Sequence, residues 1–391
     1  MPAKEIKPGI YAVGAIDWDR RLFDELIPLP EGTSYNAYLI QGSEKTALID
    51  TVDPTKEADL FENLKKLNIE KIDYLIAHHA EQDHSGAIPA ILEKYPMAKV
   101  VTNEKGQEFL SSLLLISKDK FKVISDGEEL SLGNKTLRFL FTPWVHWPET
   151  LVTYIVEDKI LFSCDFFGSH LATSELYAQE GELLLESAKR YYAEIMMPFR
   201  ITIRKNLDKI KPLDIAMIAP SHGPIYKNPN FIIDAYHEWT SDHVKNEVVL
   251  PFVSMHGSTE KMVRHFIELL IERNIEVKPF NLPRSDIGEL AMALVDAATV
   301  VLGTPMVLTG PHPQAVYATY LLNILRPKTK FISIIGSFGW GGKFIEDIKG
   351  LLTNIKAELL EPVIARGYPK EDDFQALERL ANEIAKKHQE L

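Results

Sequence analysis

The stretch YLIAHHAEQDHSG (residues 74–86) decides how this chain is interpreted, because four ligand-type side chains follow an apolar run within six residues. The run YLIA predicts a buried strand, so the polar residues lie in a loop at a strand end. Gathering them there costs free energy unless something binds and neutralises them. The motif therefore predicts a metal site, with these four ligands: His79, Glu81, Asp83 and His84.

Three further candidate ligands lie far along the chain. They are His146 in TPWVHWP, Asp165 in LFSCDFFG and His222 in APSHGP, and each directly follows an apolar, strand-like run. Strand ends of one layered fold can meet at one edge, so we expect all seven side chains to converge there. His78 is expected to point away from this cluster.

The first part of the chain has the pattern of a layered α/β sandwich. Residues 37–51 and 151–165 each give two apolar strands around a polar turn, which predicts hairpins. Further strands are expected within 121–143, around Asp126-Gly127 and Gly133-Asn134. Apolar residues at helical spacing in 54–67 predict an intervening helix.

The pattern changes at about residue 248. The run VVLPFVS (248–254) predicts a buried strand, and a helix is expected from Thr259 to Arg273. Strands and helices then alternate to the amphipathic stretch EDDFQALERLANEIAKKHQ, which predicts a doubly wound parallel sheet. We place the boundary within 227–246, which gives domains at 1–246 and 247–391.

Three loops of the second domain predict a flavin site at successive strand ends. The first leads into a helix, and its hydroxyl groups and free backbone N–H groups suit a phosphate. It resembles the phosphate loop of flavodoxins, which holds FMN without a basic residue. Ligands of this fold bind outside the carboxyl ends of the strands. The predicted flavin contacts are Ser254, Met255, His256, Gly257, Ser258, Thr259, Thr304, Pro305, Met306, Gly310, Ser337, Phe338, Gly339, Trp340, Gly341 and Gly342.

Composition excludes several classes of function. The 391 residues carry a net charge of −12, which argues against a nucleic-acid partner. The single cysteine, Cys164, excludes an intramolecular disulfide and a Cys-rich zinc or iron–sulfur site. The sequence has no apolar run long enough for a membrane span and no secretory signal, so we expect a cytoplasmic protein.

The order His-x-Glu-x-Asp-His, then His, Asp and His, resembles the metallo-β-lactamase fold family. Most hydrolases of that superfamily have a histidine where this chain has Glu81. Carboxylates are hard oxygen donors that favour iron over zinc in mixed sites. With the flavodoxin-like second domain, the whole chain resembles the flavodiiron proteins. The implied fold is an N-terminal metallo-β-lactamase-like αβ/βα sandwich followed by a flavodoxin-like doubly wound parallel sheet.

The resemblance implies a distribution of ligands over two irons per chain. His79, Glu81 and His146 would hold one iron, and Asp83, His84 and His222 the other. Asp165 would bridge the two ions. His170 and Tyr192 are candidates for lining the pocket above them.

The same resemblance implies an oxidoreductase that reduces dioxygen to water, or nitric oxide to nitrous oxide, with electrons passed through FMN. Reduction of dioxygen to water needs four electrons, which a diferrous pair and a reduced flavin supply together. A head-to-tail homodimer is expected to bring the FMN of one subunit beside the iron pair of the other. Electrons would come from an external donor, such as a rubredoxin or a reduced flavin-type carrier.

Two alternatives remain at this stage. A dinuclear zinc hydrolase would keep the fold of the first domain but leave the flavin loops unexplained. An electron-transfer flavoprotein with a structural metal site would leave the second group of ligands without a purpose.

Overall fold

A computed structural model describes residues 2–341 and 344–391. By its internal contacts the chain divides into two compact units, an N-terminal unit (Met1–Thr240) and a C-terminal unit (Ser241–Leu391). The domain limits drawn from the sequence, and the cofactor given to each domain, stay a prediction.

Short strands make up the sheets of the N-terminal unit. They are β1 (Lys4–Lys7), β2 (Ile10–Ala12), β3 (Ala15–Asp17), β4 (Leu22–Phe23), β5 (Ile27–Pro28), β6 (Thr33–Tyr35), β7 (Tyr38–Gln41), β8 (Thr46–Ile49), β9 (Tyr74–Ile76), β10 (Lys99–Thr102), β11 (Phe121–Val123), β12 (Glu129–Ser131), β13 (Thr136–Phe141), β14 (Leu151–Ile155), β15 (Ile160–Cys164) and β16 (Met217–Pro220).

Helices connect these strands and cover the sheets. They are α1 (Glu57–Lys66), α2 (Gln82–Ser85), α3 (Ile88–Lys94), α4 (Glu104–Leu113), α5 (Glu182–Tyr191), α6 (Arg200–Ile210) and α7 (Pro229–Thr240), with 3-10 turns at Pro54–Lys56, Lys118–Lys120 and Met197–Phe199 and a π-helical turn at Tyr192–Met196. The helix predicted at 54–67 begins as the first of these turns. There the Asp53 side chain accepts the Thr55 N–H at 2.8 Å and Pro54 occupies the first position.

Two sheets form the sandwich of the N-terminal unit. One has the order β1-β2-β7-β8-β9-β10-β11, and the other has the order β12-β13-β14-β15-β16. The two predicted hairpins are the antiparallel pairs β7–β8 and β14–β15. A continuous apolar core combines inward side chains of both sheets, for example Ile40, Ile76 and Phe162. A second core lies between the first sheet and helices α1, α3 and α4.

The C-terminal unit alternates strands and helices. The strands are β17 (Lys245–Phe252), β18 (Glu276–Asn281), β19 (Ala297–Val307), β20 (Gly310–Pro311), β21 (Phe331–Phe338), β22 (Glu358–Leu359) and β23 (Val363–Arg366). The helices are α8 (Ser258–Ile271), α9 (Ile287–Leu294), α10 (Pro313–Leu325), α11 (Phe344–Leu351) and α12 (Glu371–His388).

The sheet of the C-terminal unit runs β18-β17-β19-β21, with β22 and β23 both pairing with β21. All of these pairs are parallel, and only β20 returns antiparallel beside β19. The order is that of flavodoxin-like folds, in which the chain reverses direction across the sheet beside its first strand. The predicted fold class is confirmed in both units.

Among the residues that the structure describes, no helix combines the length and the apolar character that crossing a bilayer requires. The cytoplasmic location stays a prediction.

Candidate metal and flavin sites

The loop after β9 carries the first group of polar side chains. His78 is held in the core, because its Nδ1 lies 2.8 Å from Asp50 Oδ2 and its Nε2 lies 2.7 Å from Thr153 Oγ1. The chain then turns, and α2 begins at Gln82. His78 therefore points away from the cluster, while the side chains after it turn towards the strand ends of the second sheet.

One group of ligand atoms gathers around Glu81. The donor atoms of His79, Glu81, His146 and Asp165 all lie within 4.8 Å of one another. Glu81 Oε2 is 3.1 Å from the Nε2 atoms of both His79 and His146. Both imidazoles also lie 3.6 Å from Asp165 Oδ2.

A second group gathers around Asp83. Asp83, His84 and His222 also have their donor atoms within 4.8 Å of one another. Asp83 Oδ2 is 3.3 Å from His84 Nε2 and 3.1 Å from His222 Nε2. The same two nitrogens lie 3.0 and 3.4 Å from Asp165 Oδ1.

Asp165 therefore lies between the two groups, with Oδ2 facing one pair of imidazoles and Oδ1 facing the other. All seven side chains selected from the sequence meet in this cluster. Donors bound at about 2.1 Å to one ion, at right angles, lie about 3.0 Å apart. The separations of 3.0–3.6 Å within each group are close to that spacing.

The charge and burial of the cluster test whether it fits metal ions. Asp165 is fully buried and Asp83 is 4% exposed. Within the described part of the chain, all four of their carboxylate oxygens lack a donor with hydrogen-bond geometry. Burial alone would raise the pKa of Asp165, but the adjacent imidazoles of His84 and His222 hold it well below its usual value. Buried ionised oxygens without donors are costly, so this cluster fits cations.

The same carboxylates also change the pKa of a neighbouring histidine, His222. Burial would lower the pKa of His222, but Asp165 and Asp83 outweigh it and raise the pKa to about 10. Its Nδ1 donates to the Ser34 carbonyl at 2.7 Å, which turns Nε2 towards the cluster. Nitrogen and carboxylate donors of this kind bind divalent iron well.

Two pocket residues were selected from the sequence, and the structure places them differently. The ring of His170 packs beside His222, with centroids 5.1 Å apart. Tyr192 contacts Tyr236 and Trp239 and donates its hydroxyl to the Trp239 carbonyl at 3.3 Å. The tyrosine that packs on both His170 and His222 is the preceding one, Tyr191. Tyr191 is the last residue of α5, and Tyr192 begins the π-helical turn that follows it.

Sequence reasoning missed two carboxylates near the cluster. Glu149, three residues after His146, is 1% exposed and accepts the Nδ1 proton of His79 at 2.7 Å. Asp24 lies in the turn between β4 and β5, where partial burial and the charges of Glu81 and Asp83 raise its pKa to about 6. An acid shortly after a predicted ligand could have drawn attention to Glu149. Nothing in the sequence marks Asp24.

The C-terminal unit has a cavity of about 200 Å³ at the carboxyl ends of β17, β19 and β21. Ten predicted flavin contacts and Gly367 line it: Ser254, Met255, His256, Ser258, Thr259, Pro305, Met306, Ser337, Phe338 and Gly339. Gly257 has a φ of +88° directly before α8, which only glycine adopts easily. The first turn of α8 therefore begins at the cavity, which Ser258 and Thr259 line, and a helix N-terminus suits a phosphate there.

Five other described residues that were predicted as flavin contacts are not among those lining this cavity: Gly257, Thr304, Gly310, Trp340 and Gly341. The Thr304 hydroxyl accepts the His312 N–H at 3.2 Å, so it shapes the loop. Gly310 pairs with Val307 in the β19–β20 hairpin. Trp340 is 66% exposed and stands beside Gly341. Gly342 lies outside the described residues.

Known proteins are similar to this chain over nearly its whole length. A model of the ODP family beta lactamases matches residues 33–223. A nitric oxide reductase of Moorella thermoacetica is 37% identical over 390 residues, which cover 97% of each chain. A rubredoxin-oxygen oxidoreductase of Megalodesulfovibrio gigas is 33% identical over 395 residues, covering 99% of this chain and 98% of that protein.

Solved structures are also similar to this chain over nearly its whole length. The rubredoxin oxygen:oxidoreductase of Desulfovibrio gigas superposes with a TM-score of 0.95 at 32% identity, over 99% of this chain and 98% of that one. A flavodiiron protein from Giardia intestinalis gives a TM-score of 0.90 at 27% identity, over 99% of this chain and 97% of that one.

Proposed function

Because the chain belongs to the flavodiiron protein family, we propose that it binds two irons at its seven-residue cluster and FMN at the cavity of its C-terminal unit. The chain is an oxidoreductase that reduces dioxygen, nitric oxide or both at a diiron centre. It is also a flavoprotein. The proposal concerns which of its residues carry that activity.

The position of Asp165 is the observation that carries the iron assignment. Its two oxygens face two separate pairs of imidazoles, at 3.6 Å on one side and at 3.0 and 3.4 Å on the other. One bridging carboxylate with separate partners on each side suits a pair of ions. We assign His79, Glu81 and His146 to one iron and Asp83, His84 and His222 to the other.

The irons and the flavin, when bound, supply the electrons for the reduction. The chain supplies the geometry. Asp165 would fix the spacing between the two irons, and the ring contacts of His170 and Tyr191 restrict the movement of His222. Burial of these groups also limits the access of water to the cluster.

FMN is the flavin that the cavity suits best, because the α8 N-terminus offers a site for its single phosphate. Ser258 begins the helix, and the Ser254 hydroxyl, which accepts the Glu260 N–H at 3.2 Å, ties the loop to it. Among the described residues that line the cavity there is no Lys or Arg. Backbone N–H groups and hydroxyls would therefore carry the phosphate, as in flavodoxins.

A homodimer and an external electron donor complete the proposal. Several large apolar side chains near the flavin cavity are exposed, including Met255 at 42%, Leu308 at 87% and Trp340 at 66%. Exposed apolar groups of this size suit a protein–protein contact. Two similar proteins are named for rubredoxin, and a rubredoxin or a reduced flavin carrier is the donor we propose here. Sedimentation analysis tests the dimer, and a monomer with full turnover would contradict it.

The decisive experiment is His146→Asn, with His237→Asn as its control. His146 belongs to the Glu81 group, whereas His237 is an exposed histidine of α7 in the same unit. After anaerobic reduction, oxygen and nitric oxide consumption are measured in parallel, with iron, zinc and flavin contents. We expect the His146 variant to keep its flavin and lose consumption of both gases, while the His237 variant matches the wild type.

Unchanged consumption in the His146 variant would favour an electron-transfer flavoprotein with a structural metal site. Two zinc ions in protein produced with ample iron would favour the hydrolase alternative. In the wild type, the ratio of the two consumption rates gives the preferred gas.

A further inference from the structure

We propose that Glu149 is a positioning residue that makes the two iron positions unequal, strengthening the one held by His79. The inference rests on the proposed function, because it concerns how tightly each ion of the pair is bound. It involves a residue outside the seven assigned ligands.

The contacts of Glu149 fix the orientation of His79. Glu149 Oε1 accepts the His79 Nδ1 proton at 2.7 Å and the Ala80 N–H at 3.0 Å. With its proton on Nδ1, His79 presents the lone pair of Nε2 to the cluster, where Glu81 Oε2 lies 3.1 Å away. The carboxylate thus sets both the tautomer and the direction of the ligand ring.

The backbone of Glu149 is held by a further hydrogen bond. Its backbone carbonyl accepts a hydrogen bond from the Asn103 side-chain amide. The other end of that side chain accepts the Gly106 N–H at 2.8 Å and caps α4. The acceptor of His79 is therefore anchored to a helix.

The corresponding acceptor on the other side of the cluster is neutral. His222 donates its Nδ1 proton to the backbone carbonyl of Ser34 at 2.7 Å. A carboxylate acceptor makes an imidazole a stronger donor to a metal than a neutral carbonyl does. The two positions therefore differ in a way that the seven ligands alone do not produce.

The second oxygen of Glu149 supports a role for its charge. Oε2 is buried, and it has no hydrogen-bond partner among the residues that the structure describes. A carboxylate kept only to orient a ring would not need to leave one ionised oxygen without a donor. A cation on the far side of His79 would compensate for that charge.

Two variants separate the charge of Glu149 from its shape. In Glu149→Gln an amide oxygen can still accept from His79 and Ala80, but the negative charge is lost. In Glu149→Ala both the hydrogen-bond acceptor and the negative charge are lost. Glu247→Gln is the matched control, because Glu247 is also 1% exposed but lies in the C-terminal unit, where it pairs with Lys278 at 2.7 Å.

The measurement is anaerobic titration of metal-free, flavin-loaded protein with Fe(II) against a competing chelator. Mössbauer spectra of ⁵⁷Fe identify which position fills. We expect Glu149→Ala to bind one of the two ions about 10- to 100-fold more weakly, with the other unchanged. The Gln variant should show a smaller loss at the same position, and the Glu247 control should match the wild type.

The outcomes distinguish this inference from the function on which it rests. A wild type that binds no pair of irons would overturn the proposed function. The role of Glu149 alone would be overturned if the wild type binds two irons and Glu149→Gln binds both with unchanged affinity. Equal weakening at both positions in this variant would overturn it as well. If Glu149→Ala fails to fold by circular dichroism, the Gln variant decides.

Discussion

The metal cluster and the flavin cavity are built in different ways. In the cluster, side chains that are buried or mostly buried supply the donors, and further contacts fix several of them, such as His79 to Glu149 and His222 to the Ser34 carbonyl. In the cavity, backbone groups and hydroxyls on loops would face the proposed flavin, beside exposed residues such as Met255 and Trp340. The comparison indicates that the chain preorganises its metal site more fully than its flavin site.

Asp165→Ala should have the largest effect, because it removes a donor from both groups of the cluster at once. We expect loss of both irons and at least a ~100-fold loss of gas consumption, with the flavin retained. Iron content, flavin absorbance and oxygen uptake measure these effects. Asp214→Ala, at a carboxylate of the same unit that is 75% exposed, is the control. Retention of iron and turnover in the Asp165 variant would remove the bridge from the proposal.

Ser258→Ala should have an intermediate effect, restricted to the flavin. Loss of one hydroxyl hydrogen bond to a charged phosphate should weaken FMN binding about tenfold. Fluorescence titration measures this affinity. Riboflavin, which lacks the phosphate, should bind the variant and the wild type equally. Equal loss with both flavins would show that Ser258 supports the loop and does not contact the phosphate.

The smallest expected effect is a pH response of the C-terminal unit. Burial lowers the pKa of His388 to about 4, while its Nε2 lies 2.6 Å from Thr299 Oγ1. A folded-state pKa below the unfolded value of about 6.5 means that the unfolded chain binds more protons. Stability should therefore fall as the pH drops from about 6.5 to about 4.

His388→Gln should reduce this loss. Because the side chain is partly exposed, we expect solvent screening to keep the effect to about 2–4 °C in melting temperature at pH 4.5. At pH 8 the variant should lack any such advantage. Calorimetry of the intact protein measures both values, and an identical pH slope in variant and wild type would contradict the assignment.

Residue type explains what the sequence could predict. Strand-length apolar runs predicted β7, β8, β14 and β15, because buried strands need apolar side chains. His, Asp and Glu after such runs predicted a metal cluster. Alternation after residue 248 predicted the doubly wound sheet, and Pro313 at the start of α10 is a residue type that helix N-termini favour.

What the sequence could not predict depends on backbone detail and on distant contacts. Tyr191 and Tyr192 are adjacent aromatic residues and both are buried, so their residue type could not tell which of them packs on His170 and His222. Glu149 acts through His79, seventy positions earlier in the chain. Strand β20 has only two residues, so its sequence pattern is too short to predict a strand.

The donors of the cluster come from both sheets of the N-terminal unit. His79 and Asp83 follow β9 of one sheet, while Asp165 and His222 follow β15 and β16 of the other. Bound ions would act as a cross-link between these layers, each adding about 2.7 kcal/mol to their stability at a free concentration 100-fold above its dissociation constant. Iron starvation of the host cell would then lower the abundance of the protein itself, since the unlinked layers would open to proteases more often.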